Sequence, residues 1–201
     1  MSENKTISPP PLWHLSLARV LFCFLFIFFV YRTLASVVNI IYFASQPASA
    51  IQVSANESRY IFPGLFGYYR IPFDYLAVYD GITNGKLFAL SITIAGFLFK
   101  DIPLLVIINL GRILFKNLKG SYTPFTAGTT SCIKKIGIIM ICMGSLSKLL
   151  IQVSVNVVNL HRFNCVNPYE PSWILAGIFT FLLADIFARG CYLQQESDET
   201  L

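Results

Sequence analysis

The chain has 201 residues, of which 55% are hydrophobic and 12% charged, with 18 Phe and 10 Tyr. Soluble domains carry about 25% charged residues, so this composition excludes an ordinary water-soluble fold. The formal net charge of +5 does not indicate a nucleic-acid partner, because the basic residues collect at the ends of apolar runs and form no stripe interleaved with stacking aromatics.

A polar, proline-bearing leader, "MSENKTISPPPLWHLSLAR", precedes the first predicted span at about 18–44. The small-x-small triplet "ASA" at 48–50 has the form of a signal-peptidase site. The apolar run is too long for a signal peptide, however, whose core measures roughly 7 to 15 residues. Residues 45–86 form a polar and aromatic loop, "FPGLFGYYRIPFDYLAVYDGITNGK" among them, too polar to span. Its clustered Tyr and Phe fit an interfacial belt or a small strand-containing cap on the outer leaflet.

The second apolar segment, 87–118, is about 48 Å long as helix, more than a hydrocarbon layer of about 30 Å accommodates. It must tilt, kink at Pro103 or project into the cytoplasm, unless Asp101 caps a second, separate helix. A third helix starts after Thr126, whose hydroxyl is placed to cap it, and covers 127–158. "NLHRFNCVNPYEP" then supplies turn residues before the fourth span at 173–190, and a polar tail occupies 191–201.

Lys and Arg set the orientation. With the N-terminus inside, Lys5, Arg19, Arg112, Lys116, Lys119, Lys134, Lys135 and Arg189 are cytoplasmic, against Arg59, Arg70, Lys86 and Arg162 outside, so the excess predicts both termini in the cytoplasm. The expected fold is an all-α integral membrane protein: one four-helix domain over 1–201, with an extracytoplasmic loop between helices 1 and 2. Of the five cysteines only Cys165 lies outside in this topology, so neither a disulfide framework nor a zinc site follows.

The stretch "GSYTPFTAGTTSCIKKIG" at 120–137 and the ending "LLADIFARGCYLQQESDETL" at 182–201 resemble an uncharacterised bacterial membrane family, domain of unknown function 2975. Gly120, Pro124, Phe125, Thr126, Ile136, Gly137, Asp185, Phe187 and Gly190 carry the resemblance. It covers about the last 80 residues by motif and the N-terminal half by topology. Here "AGTT" stands where that family has acidic residues, and Asp185 where Glu is commoner. The resemblance implies a multi-pass protein of the bacterial cytoplasmic (inner) membrane, often encoded beside a small helix-turn-helix regulator.

Ionisable groups within spans are costly and need partners. Asp101 and Lys148 lie at nearly equal distances from the turn at Pro124, so they are expected to pair across spans two and three, with Arg32 as the alternative partner of Asp101. Such a pair is packing glue in one reading and part of an ion relay in the other. Asp185, one turn before Arg189, marks the inner end of span four, where it is expected to clamp Lys134, Lys135, Arg112 or Arg19. Lys116 and Lys119 join Arg112, Lys134 and Lys135 in a basic cytoplasmic face for anionic lipid or the acidic tail.

Enzymatic signatures are missing from the sequence: His14 and His161 fall on opposite sides of the membrane, and neither a phosphate loop nor a nucleophile elbow occurs. No cofactor is expected. The leading expectation is a non-enzymatic scaffold, sensor or anchor for a cytoplasmic regulator, in contact with lipid, with no direct nucleic-acid contact and with homo-oligomers possible. The alternative is a small transporter or export-accessory subunit. A solvent-connected polar cavity reaching Asp101 and Lys148 would support transport, and a dry bundle would support anchoring.

Overall fold

The structure, a computed structural model, describes residues 13–56, 58–73, 75–76, 82, 84–120, 125–159 and 165–199. Helix α1 (Trp13–Ser45) contains neither Gly nor Pro and runs uninterrupted for 33 residues. Its last carbonyls are satisfied from outside the helix: Lys86 Nζ donates to the carbonyls of Ala44 and Gln46 at 2.8 and 2.7 Å. A short 3-10 turn (Ala48–Ala50) leads into an antiparallel sheet in the order β1 (Ser54–Asn56), β2 (Arg59–Gly64), β3 (Gly67–Pro72). Leu65 and Phe66 form the two-residue turn between Gly64 and Gly67, and Gly67 takes φ +128°, a conformation a side chain would resist.

The second apolar segment is one helix, not two. Helix α2 (Gly85–Gly96), capped by Asn84 accepting from the Leu87 amide, passes through a π turn (Phe97–Asp101) into α3 (Ile102–Gly120). Pro103 explains the wide turn: it has no amide to bond back to Phe99, and its ring crowds that carbonyl. The Ile102 amide reaches Phe97 instead. Asp101 therefore sits inside a helix and is not an N-cap. The third segment repeats the pattern, with α4 (Ala127–Cys142), a π turn (Met143–Ser147) and α5 (Lys148–Asn159). Thr126 caps α4 as expected, accepting from the Thr129 amide at 3.2 Å. Helix α6 (Pro171–Glu199) closes the bundle.

Among the described residues four helices are thus long and apolar enough to cross a membrane: Leu17–Ser45, Gly85–Leu118, Ala127–Val158 and Pro171–Ser197. The surplus length of the second and third goes to the side of the 45–86 loop, where α2 and α5 meet the sheet. There Tyr60, Phe62 and Ile71 of the sheet pack with Phe43, Leu76, Phe88, Ile92, Ile151 and Val155, a contiguous core in which each large side chain contributes about 1.5–3 kcal/mol. Helix α3, at 19 residues, is about 28 Å long and matches the hydrocarbon by itself.

Below the cap the helices are held differently. Gly137 of α4 and Gly177 of α6 bring the two backbones together: a Cβ on Gly177 would lie 2.8 Å from the Ile141 nitrogen and 2.9 Å from the Gly137 oxygen. The Glu170 amide donates to the Gly144 carbonyl at 2.7 Å, tying the start of α6 to the second π turn.

Candidate functional site

The two π turns pack against each other. Every charged group of interest between α1 and the loops gathers there. Asp101, whose side chain is 7% exposed, receives Arg32 Nη2 at 2.8 Å and the Ser36 hydroxyl at 2.7 Å. Arg32, four residues before Ser36, shares its face of α1, which is why one carboxylate engages both. The partner first expected, Lys148, forms no ion pair with Asp101; its ammonium lies 5.4 Å from the Tyr75 ring centroid. The two turns do hold Asp101 and Lys148 near one level, but α1 approaches α2 and the first π turn from the side, so Arg32 takes the carboxylate.

Tyr75 is flanked by two cations. Lys100 Nζ also lies 5.4 Å from its ring, and the same ammonium is 3.5 Å from Glu170 Oε1. Burial first, then the charge of Glu170, pushes the Tyr75 phenol up to about 12, so it keeps its proton at physiological pH and remains a donor. Tyr69 is raised as well, by burial and then by the Asp101 charge, with Arg32 opposing.

Between α1, β3, α2 and the first π turn lies a cavity of about 470 Å³. Arg32, Asp101, Lys100, Arg70, Tyr69 and Tyr75 form its polar part; Phe66, Ile92, Phe97 and Ile151 form its apolar part. Its lining in the second span ends at Asp101. Beneath it Leu104, Ile108 and Met143 are buried, with Phe22, Phe26, Phe29, Ile139 and Trp173 packed against them.

Sequence reading missed four contributors. Glu170 looked like a loop residue, and only the Gly144–Glu170 backbone bond brings it beside Lys100. Gln152, fully buried, donates to the carbonyls of Tyr75 and Val166 and accepts from the Val166 amide, pinning both neighbouring loops. A signal for it existed: Lys148, Gln152 and Asn156, all buried, recur every four residues in "KLLIQVSVN", a polar stripe along α5. Arg70 and Tyr69 come from a strand the sequence reading did not resolve.

The helix-end clamp expected of Asp185 does not form. Asp185 is exposed and enters no ion pair among the described residues. Lys134 sits over the Phe181 ring at 5.6 Å, Lys135 is exposed, and Arg112 lies over Phe26 at 5.6 Å. Arg19, Arg112 and Lys116 instead border an 840 Å³ cleft between α1 and α3, lined also by Phe22, Phe26 and Phe115. Arg19 and Arg112 are thereby committed to α1 and α3, while Asp185 rides on α6, which packs on α4.

What closes that end is apolar. Phe125 and Phe187 meet at 5.4 Å between ring centroids, Gly190 leaves the space that the Phe125 ring fills, and Thr130 Oγ1 lies 3.7 Å from Cys191 Sγ. Phe125, Thr126 and Gly190 thus act in packing and capping. Gly120 ends α3; its surroundings, the side chain of Lys119, and Pro124 lie outside the described residues. The sequence matches no protein-family profile, and no curated protein or solved structure matches it.

Proposed function

We propose that the chain is a non-enzymatic membrane sensor that receives a ligand in the cavity beneath its extracytoplasmic cap and presents a basic face to the cytoplasm. One observation carries this: a polar cavity reaches the Arg32–Asp101 pair but Lys148 is not among its lining residues, so it meets only half of the condition set for a path, and Leu104, Ile108 and Met143 are buried beyond it. A conduit would need polar groups continuing past those side chains. π turns recur at functional sites, and the first one, with Lys100 and Asp101, is itself cavity wall. A ligand drawing on Arg32 or Lys100 therefore bears directly on the joint from which α3 descends.

The setting proposed with this reading is the bacterial cytoplasmic membrane, with both termini inside, on the Lys and Arg distribution and the resemblance at residues 120–137 and 182–201. In a background with the five native cysteines replaced by Ser, Ala35→Cys is expected to react with a membrane-impermeant thiol reagent only from the side bearing residues 45–86. Ile108→Cys is expected to resist from both sides. Labelling of Ile108→Cys from both sides would instead establish a through-path and the transport alternative.

The inner half of the proposal is that Lys116, Lys119, Lys134 and Lys135 dock a small cytoplasmic helix-turn-helix regulator. Affinity capture from native membranes is expected to retain such a protein, and to lose it when Lys134 and Lys135 are replaced by Gln. Unchanged recovery with the variant would remove this face as the docking surface.

A further inference from the structure

The cavity named above has an uneven chemistry, and the unevenness identifies what it takes. Its charged lining is three cations, Arg32, Arg70 and Lys100, against one acid, Asp101, and the phenols of Tyr69 and Tyr75, held protonated, stand among its neutral polar groups with Tyr68, Ser36, Asn39 and Thr93. The one acid lining it, Asp101, is already engaged by Arg32 and Ser36, and the nearby Glu170 acts on Lys100. A cationic ligand would meet three like charges. An anion meets Arg32, whose planar fork matches phosphate oxygens, with Arg70 on the exposed face of β3 beside it.

The mouth adds a second requirement. The hairpin tip exposes Leu65, Phe66 and Tyr68 to 50%, 59% and 70%. The Leu65 amide donates to Asn39 Oδ1 at 3.0 Å, which fastens this tip to α1 beside its exposed Leu34, Val38 and Ile41. Apolar surface of that extent, continuous with the outside of a spanning helix, belongs against acyl chains. The tip therefore lies at the lipid surface, and Phe66 and Phe97 line the way from it to the cations. A free, water-borne anion would have no use for that apolar half.

We propose that the cavity binds the phosphate of an anionic amphiphile drawn from the adjoining leaflet, its headgroup against Arg32, Arg70 and Lys100 and its chain passing Phe66 and Phe97. This rests on the sensor reading of the same cavity and names its ligand class.

The test uses the full chain in neutral maltoside micelles and native mass spectrometry, with dodecyl phosphate as probe, 1-dodecylglycerol as uncharged comparator and inorganic phosphate as soluble comparator. One retained dodecyl phosphate is expected, weakened about tenfold by Arg70→Gln, an exposed strand position whose change leaves the fold intact. Arg32→Gln is expected to weaken it more than Arg32→Lys. Asp101→Asn is expected to tighten it several-fold, because the competing carboxylate is gone while an acceptor for Ser36 remains.

Equal retention of 1-dodecylglycerol, indifferent to Arg70→Gln, would overturn the phosphate. Displacement of dodecyl phosphate by an equal concentration of inorganic phosphate would overturn the amphiphile. Weaker binding in Asp101→Asn with Arg70→Gln unchanged would overturn the anion. In each case one-sided labelling of Ala35→Cys leaves the cavity standing, whereas loss of that labelling brings down the sensor reading itself.

Discussion

Gly177→Val is expected to lower the melting temperature of the detergent-solubilised protein by roughly 10 °C, a cost of about 3 kcal/mol for a chain of this size. The reason is which atoms stand in the way. A Cβ at this position meets the Ile141 nitrogen at 2.8 Å and the Gly137 oxygen at 2.9 Å, backbone atoms that move only if α4 and α6 separate. The Gly137 side is built the same way, its Cβ position lying 2.9 Å from the Phe181 nitrogen. Since lipid tails are as apolar as the side chains they replace, close backbone approach is what holds two such helices together. Gly96 provides the contrast: a Cβ there meets nothing within 4 Å, so Gly96→Ala is expected to raise stability by about 0.5–1 kcal/mol. Equal melting temperatures for Gly177→Val and the wild type would mean that α4 and α6 do not meet at Gly137.

The second large effect is at the ion pair. Arg32→Met leaves the Asp101 carboxylate, 7% exposed, with Ser36 as its remaining contact in the described site. Breaking a fully buried pair costs about 3–5 kcal/mol, but the Arg32 side chain is 42% exposed, so water screens the charge and about 2 kcal/mol is expected. Removing both charges in Arg32→Met/Asp101→Leu is expected to recover most of that loss, because no charge is then left unpaired. A thermal-unfolding cycle on the two sites should give a coupling of about 1–2 kcal/mol, larger than the cycle between Asp101 and Lys148. If the Lys148 cycle proves the larger, the carboxylate is shared differently from the geometry described here.

Apolar run lengths announced the four helices, because crossing a hydrocarbon layer demands about 20 apolar residues in a row and little else satisfies that demand. Thr126 was legible as a cap, since capping depends on a hydroxyl and an amide three residues away. The concentration of ionisable groups at Arg32, Asp101 and Lys148 was also legible, because charges in apolar runs are rare enough to stand out. Asp185 showed the limit of that reasoning. Its sequence depth suggested cationic neighbours, yet the cations went to aromatic rings and to the α1–α3 cleft, and the exposed carboxylate enters no ion pair among the described residues.

By itself the sequence determined the periodicities, the span count and the residues able to carry charge, all of which depend on neighbours within a few positions. Only the tertiary structure decided which cation Asp101 meets, that α2 and α5 build an apolar core with the sheet, and that Glu170 joins Lys100. Those outcomes depend on how helices approach sideways and where a wide turn exposes a carbonyl. Pro103 sets the first wide turn and Gly144 lies in the second, but neither residue states which distant group will fill the space opened there.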